Sequence, residues 1–315
     1  MSEIISVVVP VYNNRPTLAE TCRQILEVHE RSFGEMELEV VFVNDGSTDE
    51  SWNELLRLKD LHGEKISLLN LSRNFGQLAA LIAGFNHARG DAVICISADL
   101  QDPISLMAKM VACWKNNTEI VICYRKDRTD GIFSRVLSRV VYSIARISYP
   151  ELPMGGFDYW LMSRKVCELL CSLRGRHNFL QGNLLSVGFS KVFIPYTRIR
   201  RKEGKSGYTF AGKLGLAINF VIDSSYLPIR FISFLGVFTS FCGVIYSLLI
   251  IYAWLMHRTP FTGWAPFMIM LMFIGGILMV MLGVIGEYLW RIYDNLKDFP
   301  LFIVETRLGH DENAK

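Results

Sequence analysis

Two stretches in the last third of the chain constrain its fold before anything else does. From Phe231 to Met256, 26 successive residues include no Asp, Glu, Lys, Arg or His, and from Thr259 to Gly286 there are 28 more. Each run exceeds the roughly 20 apolar residues that carry a helix across a bilayer's hydrocarbon core. The expectation is a hairpin of two membrane-spanning helices, at about 231–256 and 264–286. Basic residues set its orientation, because loops rich in Lys and Arg stay on the cytoplasmic side. Arg198, Arg200, Arg201, Lys202, Lys205, Lys213 and Arg230 precede the first run, Arg291, Lys297 and Arg307 follow the second, and the connection carries Arg258. Both termini are therefore expected to face the cytoplasm. The stretch 209–230 is apolar but interrupted by Lys213, Asn219, Asp223 and Pro228. It reads as amphipathic helices lying on the membrane surface.

The charge balance excludes one class of partner. The 315 residues carry 33 Lys and Arg against 30 Asp and Glu, a net charge of +3, which gives no footprint for nucleic acid. Seven cysteines form no CxxC pair and sit mostly within apolar runs, as buried reduced thiols in a reducing compartment do. The opening Met-Ser-Glu is not followed by a basic segment and a long apolar one, so no cleaved leader is expected.

The first 125 residues alternate short β-branched runs with helical patterns. Ile4–Val9, Val40–Val43, Ile66–Leu71, Ala92–Ile96 and Ile120–Cys123 read as buried strands, and Thr17–His29 and Gln77–Ala88 as helices between them. That order predicts a mostly parallel α/β sheet with helices on both faces. Further helices are expected around 133–147 and 161–173, then a strand near 187–194. Polar residues gather where the strands end: Asn13 and Asn14, Asp45, Asn74, Asp99, Arg125. Ligands of open α/β sheets bind at the carboxyl ends of the strands, so these six are expected to face one crevice.

Ser97-Ala98-Asp99-Leu100-Gln101-Asp102-Pro103 follows the fourth strand. A carboxylate with an amide oxygen two residues on offers hard ligands for Mg²⁺ or Mn²⁺, completed by substrate phosphates and water. Asp102 before Pro103 serves equally as the start of a helix. A phosphate loop at Gly204-Lys205-Ser206 is excluded because residue 199 is Ile, and the scattered histidines have no zinc spacing.

Taken in order, Pro10-Val11-Tyr12-Asn13, Val43-Asn44-Asp45-Gly46-Ser47, Ser72-Arg73-Asn74-Phe75-Gly76 and Ala98-Asp99-Leu100-Gln101-Asp102-Pro103 resemble the polyprenyl-phosphate glycosyltransferases of family 2. These are bacterial relatives of dolichol-phosphate mannose synthase in the inverting GT-A superfamily. Gly283-Val284-Ile285-Gly286-Glu287-Tyr288-Leu289 is similar to that family's membrane hairpin. The resemblance implies a cytoplasmic GT-A (Rossmann-like) domain over 1–208, interface helices over 209–230, the hairpin over 231–287 and a cytoplasmic tail over 288–315. It implies inverting transfer of a sugar from a nucleotide diphosphate, UDP-linked by the family's habit, to undecaprenyl phosphate at the bacterial inner membrane. The product would serve modification of lipopolysaccharide O-antigen or another envelope glycan.

By the same resemblance, Pro10, Tyr12, Asn14, Asp45, Arg73, Asn74 and Asp99 would hold the nucleotide sugar, and Asp99 with Gln101 would bind the metal. Arg201 and Ser206 belong to a loop that closes over the diphosphate, with Arg125, Arg135 and Ser138 on the acceptor phosphate. Asp158, in Gly156-Phe157-Asp158-Tyr159-Trp160, matches the acid at the family's reaction centre, with a helix N-cap as its alternative reading. Related proteins imply a homo-oligomer, a tetramer. The chain departs from the pattern at Ser97, where the family commonly has Asp, and at Asn14, where it has Glu. A catalytically weak nucleotide-sugar binder within an envelope-glycan complex is therefore the alternative to an active transferase.

Overall fold

The computed structural model describes residues 3–126, 132–173, 179–197, 227–256, 265–297 and 299–309; at 132–138 and at scattered positions of the two long helices it describes the backbone alone. The apolar runs become β1 (Ile4–Val11), β2 (Glu37–Asn44), β3 (Ile66–Leu71), β4 (Ala92–Cys95) and β5 (Ile120–Arg125). Between them lie α1 (Arg15–Ser32), α2 (Ser51–His62), α3 (Gln77–His87) and α4 (Leu106–Lys115). α1 shows why these segments are helices. It buries Leu18, Thr21, Cys22, Ile25 and Leu26, the i, i+3, i+4, i+7, i+8 stripe of an amphipathic helix, and Pro16 fits its first turn, where the missing N–H costs nothing.

Side-chain alternation along β1 divides the core in two. Ile5, Val7, Val9 and Val11 pack with Leu18 and Ile25 of α1, Leu55 of α2 and Met107 of α4 on one face. Val8 packs with Val41, Val43 and the α3 residues Ala80, Ala83 and Phe85 on the other. Both faces are thus covered by helices, as the near-continuous burial of the strands requires.

After β5 come α5 (Ile132–Ser148), β6 (Tyr159–Ser163), α6 (Arg164–Ser172), α7 (Leu180–Ser186) and β7 (Lys191–Tyr196). Residues 159–163, whose second half was expected in a helix, form a fully buried strand, and the helix begins only at Arg164. β6 runs antiparallel between β4 and β5, so both of its faces and both of its edges are covered by apolar partners. Periodicity alone cannot tell such a run from a buried helix.

The sheet order is β7-β5-β6-β4-β1-β2-β3-β8. Four pairings are parallel and three antiparallel, so the sheet is mixed. The chain winds from β1 through β2 to β3 on one side and then crosses to β4 on the other. The switch in winding lies between β1 and β4, where the carboxyl ends diverge and leave a crevice.

The two uncharged runs form α8 (Leu227–Leu255) and α9 (Ala265–Leu296), the second extending past Gly286. Both are long and apolar enough to cross a membrane. Phe231, Phe234, Leu248, Phe273, Met279 and Leu289 are each more than half exposed on them, an outward-facing apolar surface that suits association with a bilayer. The interface helices expected over 209–230 lie almost wholly outside the described residues. The tail is more than an extension: β8 (Val304–Leu308) returns to pair antiparallel with β3 at the sheet's edge.

Candidate active site

The crevice at the switch point is a cavity of about 360 Å³, lined by Pro10 near the end of β1 and Tyr12 just after it, Asp45 after β2, Asn74 after β3, and Ser97 and Asp99 after β4. Asn14, Gly76, Gln77 and Ala80 complete much of its wall. Four of the six residues expected there by strand-end position therefore reach it: Asn14, Asp45, Asn74 and Asp99. Tyr12 is 47% exposed, which leaves ring surface available to a ligand.

Asn13 and Arg125 do not line it. Asn13 adopts a left-handed backbone, φ +54°, tolerated by a short polar side chain. Its Oδ1 accepts from the amides of Thr48 (2.9 Å) and Asp49 (3.3 Å), and its own N–H donates to Ser47 Oγ (3.0 Å). It fastens the β1 loop to the β2 loop instead of facing a ligand.

Asp45 is 3% exposed, and both of its oxygens are used: Oδ1 accepts from the Phe75 amide at 2.7 Å and Oδ2 from the Gly76 amide at 3.0 Å. Burial pushes its pKa above the ordinary carboxylate value, while these two amides and the Arg73 charge pull in the opposite direction. The carboxylate thus shapes the loop after β3 as well as lining the cavity. Arg73 is exposed and lies with its guanidinium 4.2 Å from the Phe75 ring centroid, a cation–π contact that braces the same loop.

Gly46, φ +61°, makes a close approach that only glycine permits. A Cβ there would stand 2.5 Å from the carbonyl carbon of Arg73 and 2.5 Å from the amide nitrogen of Asn74. Gly46→Ala is expected to cost about 1–2 kcal/mol from the left-handed backbone alone. It should also push two cavity walls apart and weaken binding of any ligand held between them. Thermal unfolding and equilibrium binding check this; wild-type values in both would show that the loops tolerate the separation.

Asp99 sits on a strained turn. Its Oδ1 accepts from the Gln101 amide at 3.1 Å, and Leu100 between them has φ +57°. Thr17 Oγ1 holds the preceding carbonyl, Ala98 O, at 2.6 Å. Gln101 is only 7% exposed and is not among the residues lining the cavity. Among the described residues no three His, Cys, Asp or Glu side chains converge as a metal cage. The oxygen donors present, Asp99 with the Ser97 hydroxyl, fit a hard cation held largely by substrate phosphates and water.

A second polar cluster forms around Arg125, whose side chain is 14% exposed. Its Nη2 donates to Asp158 Oδ2 at 3.0 Å, its Nε to the Tyr196 hydroxyl at 3.4 Å, and its Nε lies 4.0 Å from Asp102 Oδ1. Tyr196 donates to the buried Asp102 at 2.5 Å, anchoring the end of β7 to the loop after β4, while Ser105 takes the N-cap position of α4. Burial works against the Arg125 charge, yet Asp158, Tyr196 and Asp102 push its pKa up and hold the guanidinium charged. Burial and Asp102 push the Tyr196 phenol up, keeping it a donor.

Asp158 precedes strand β6, not a helix, so its N-cap reading does not hold. Gln181 Nε2 approaches its other oxygen at 3.5 Å, and Cys95 Sγ at the end of β4 contacts its carbonyl at 3.8 Å. Sequence reasoning passed over Tyr196 and Gln181, since neither lies in a motif; Tyr196 ending an apolar strand was the one available signal. Arg201 and Ser206 lie outside the described residues, as do the side chains of Arg135 and Ser138, whose backbone belongs to α5.

Comparison with known proteins accords with this geometry. The model of the family described as glycosyl transferase family 2 matches residues 6–170, from β1 into α6. An uncharacterized glycosyltransferase of Bacillus subtilis, YkcC, is 35% identical over 96% of this chain and 94% of its own length. The SfII prophage-derived bactoprenol glucosyl transferase of Shigella flexneri is 33% identical over 96% and 97% respectively. Among solved structures, the glucosyl-3-phosphoglycerate synthase of Mycobacterium tuberculosis in complex with Mg²⁺ and UDP superposes with a TM-score of 0.51. It covers 70% of this chain and 79% of its own at 16% identity, and so speaks to the fold alone. With relatives matched along nearly their whole length and the family model spanning the sheet that builds the crevice, the chain belongs to glycosyl transferase family 2 and is a glycosyltransferase.

Proposed function

We propose that the protein transfers a hexosyl group from a UDP-sugar to undecaprenyl phosphate at the cytoplasmic face of the bacterial inner membrane, with inversion, for envelope or O-antigen glycan modification. The observation that carries this reading is the meeting, at one sheet edge, of a carboxylate-lined cavity and the Arg125–Asp158 pair, in a chain bearing two bilayer-length helices. Relatives named bactoprenol glucosyl transferases support the lipid acceptor.

In this reading Tyr12 packs against the nucleobase, with Pro10, Asn14, Asp45, Asn74 and, beside the loop, Arg73 shaping its surroundings. Asp99, with Ser97 beside it and Gln101 on the same turn, would hold Mg²⁺ or Mn²⁺. Bound there, the cation would neutralise charge on the departing diphosphate. The acceptor phosphate is ionised at neutral pH, so its oxygen attacks the anomeric carbon without a strong general base as the bond to the diphosphate breaks. The task left to Asp158 is orientation, and Arg125, fixed against it, presents positive charge beside the reacting phosphate. Arg135 and Ser138 would grip the acceptor phosphate, and Arg201 and Ser206 would close over the donor. The hairpin keeps both termini cytoplasmic and confines the search for the lipid to a surface; the working unit is a homo-oligomer.

The test is transfer from labelled nucleotide sugars to undecaprenyl phosphate by detergent-purified protein, with Mg²⁺ or Mn²⁺ and with a chelator. A chelator-sensitive product extractable into organic solvent is the expected result. Donor binding with no product from any sugar would favour the silent-binder alternative, to which Ser97 in the cavity lends its weight.

A further inference from the structure

β8 does more than close a sheet edge. It follows α9 after residues 297–303, a connection that spans less than about 30 Å even when extended. The backbone just before the strand and one of the strand's own side chains both lead to the cavity. The carbonyl of Ile303 accepts from the Ser72 amide at 3.0 Å, at the root of the loop whose Phe75 and Gly76 amides are held by Asp45. Phe302 and Val304 pack against the core on the α3 face, anchoring the strand from below.

The side-chain route begins at a bulge. Leu68, Leu69 and Asn70 pair with Leu308, Arg307 and Thr306, but Leu71 pairs with Val304, leaving Glu305 as the extra residue. A bulge re-aims the side chain it frees. Glu305 Oε2 accepts from Asn70 Nδ2 at 3.1 Å, and Asn70 Oδ1 accepts from Asn44 Nδ2 at 2.7 Å. Asn44 Oδ1 accepts from the Ser47 amide at 3.4 Å, and Ser47 Oγ accepts from the Asn13 amide. Because each asparagine has both of its amide ends engaged, the orientation of one dictates that of the next. The relay runs from the strand behind the second long helix, across β3 and β2, to the loops around Asp45 and Tyr12.

We propose that β8 braces the donor cavity and that Glu305 is a positioning residue for the nucleotide, acting through Asn70 and Asn44. This deepens the proposed function and rests on it for the identity of the ligand. It makes the segment behind the hairpin part of the donor site's scaffold, joining membrane anchorage to the geometry in which the nucleotide is held.

The test uses the full chain in detergent micelles with Glu305→Ala, Glu305→Gln and Arg307→Ala. UDP with Mg²⁺ is the binding probe, and amide hydrogen exchange of 44–49 and 72–76 is followed without ligand. Glu305→Ala should raise the UDP dissociation constant about three- to tenfold, the scale of one lost hydrogen bond. It should also speed exchange in both segments and raise the donor KM while leaving the acceptor KM alone. Glu305→Gln, whose amide oxygen still accepts from Asn70, should restore all of these, and Arg307→Ala on the same strand should move none. Unchanged exchange in Glu305→Ala would overturn the proposal, as would equal effects from all three variants, which would mark general loosening of the strand. Were the wild type to bind no UDP, the donor reading would fall, while the exchange measurement would still decide the brace.

Discussion

Replacing Asp99 with alanine is expected to lower sugar transfer by about 10²–10³-fold, the scale seen when one electrostatic stabiliser of a developing charge is removed. Asp99 is the acidic side chain after β4 that lines the cavity, and Ser97 beside it offers only a neutral hydroxyl. Among the described residues no three His, Cys, Asp or Glu side chains gather as a metal cage, so the expected effect rests on this one carboxylate. The carboxylate also accepts from the Gln101 amide and so holds its own turn, and thermal unfolding separates that structural share from the loss of transfer. Initial rates at saturating donor and a Mg²⁺ titration of UDP binding check both halves. In the variant, Mg²⁺ should no longer tighten UDP binding. An enzyme that kept wild-type rates and metal response would exclude Asp99 from the metal site. Restoring Asp at Ser97 in the otherwise native chain should tighten that response.

The largest loss of stability is expected at the opposite end of the strands. Glu39 of β2 is 2% exposed and collects four donors: Ser6 Oγ of β1 at 2.6 Å, Ser67 Oγ of β3 at 3.4 Å, and the Arg89 amide and Nε at 2.9 and 3.1 Å. Ser6 Oγ in turn accepts from the Gly90 amide at 2.8 Å. One carboxylate thus ties three neighbouring strands to the turn between α3 and β4. Glu39→Ala leaves those donors buried without an acceptor, and Arg89, being 39% exposed, recovers part of its solvation. The expected cost is about 2–4 kcal/mol, less than for a fully buried pair. Glu39→Gln should cost less, since one amide oxygen still accepts while its NH₂ confronts a donor. Thermal unfolding followed by intrinsic fluorescence measures the order, and transfer assayed well below the transition should stay near wild type. Melting indistinguishable from wild type in Glu39→Ala would show that water replaces the carboxylate without penalty.

Much of the crevice was legible along the chain. Asp45, Asn74 and Asp99 each come within three residues of the end of an apolar run, and a run of that length predicts both a strand and where it stops. The carboxyl ends of parallel strands then lie at one edge whatever the details. Asn13 and Arg125 obeyed the same rule of position but turned to other partners, the amides of Thr48 and Asp49 in one case and Asp158 in the other. Position at a strand end does not fix the direction of a side chain.

The buried strand 159–163 was hidden for a different reason. Apolar on both faces, it carries no alternation, and only its insertion between β4 and β5 makes it a strand. β8 was hidden because Val304–Leu308 is short and exposed at every second residue; what makes it a strand is the free edge of β3, more than 200 residues earlier in the chain.

The amino-acid sequence alone determined the bilayer-length helices, the alternating α/β order and the polar strand ends, because each follows from composition or periodicity over a dozen or so neighbouring residues. Tertiary structure decided the pairings Tyr196–Asp102, Arg125–Asp158, Glu39–Arg89 and Glu305–Asn70. Each joins residues that are remote in sequence, and hydrogen bonds act only across about 3 Å, so strand order and register select the partners.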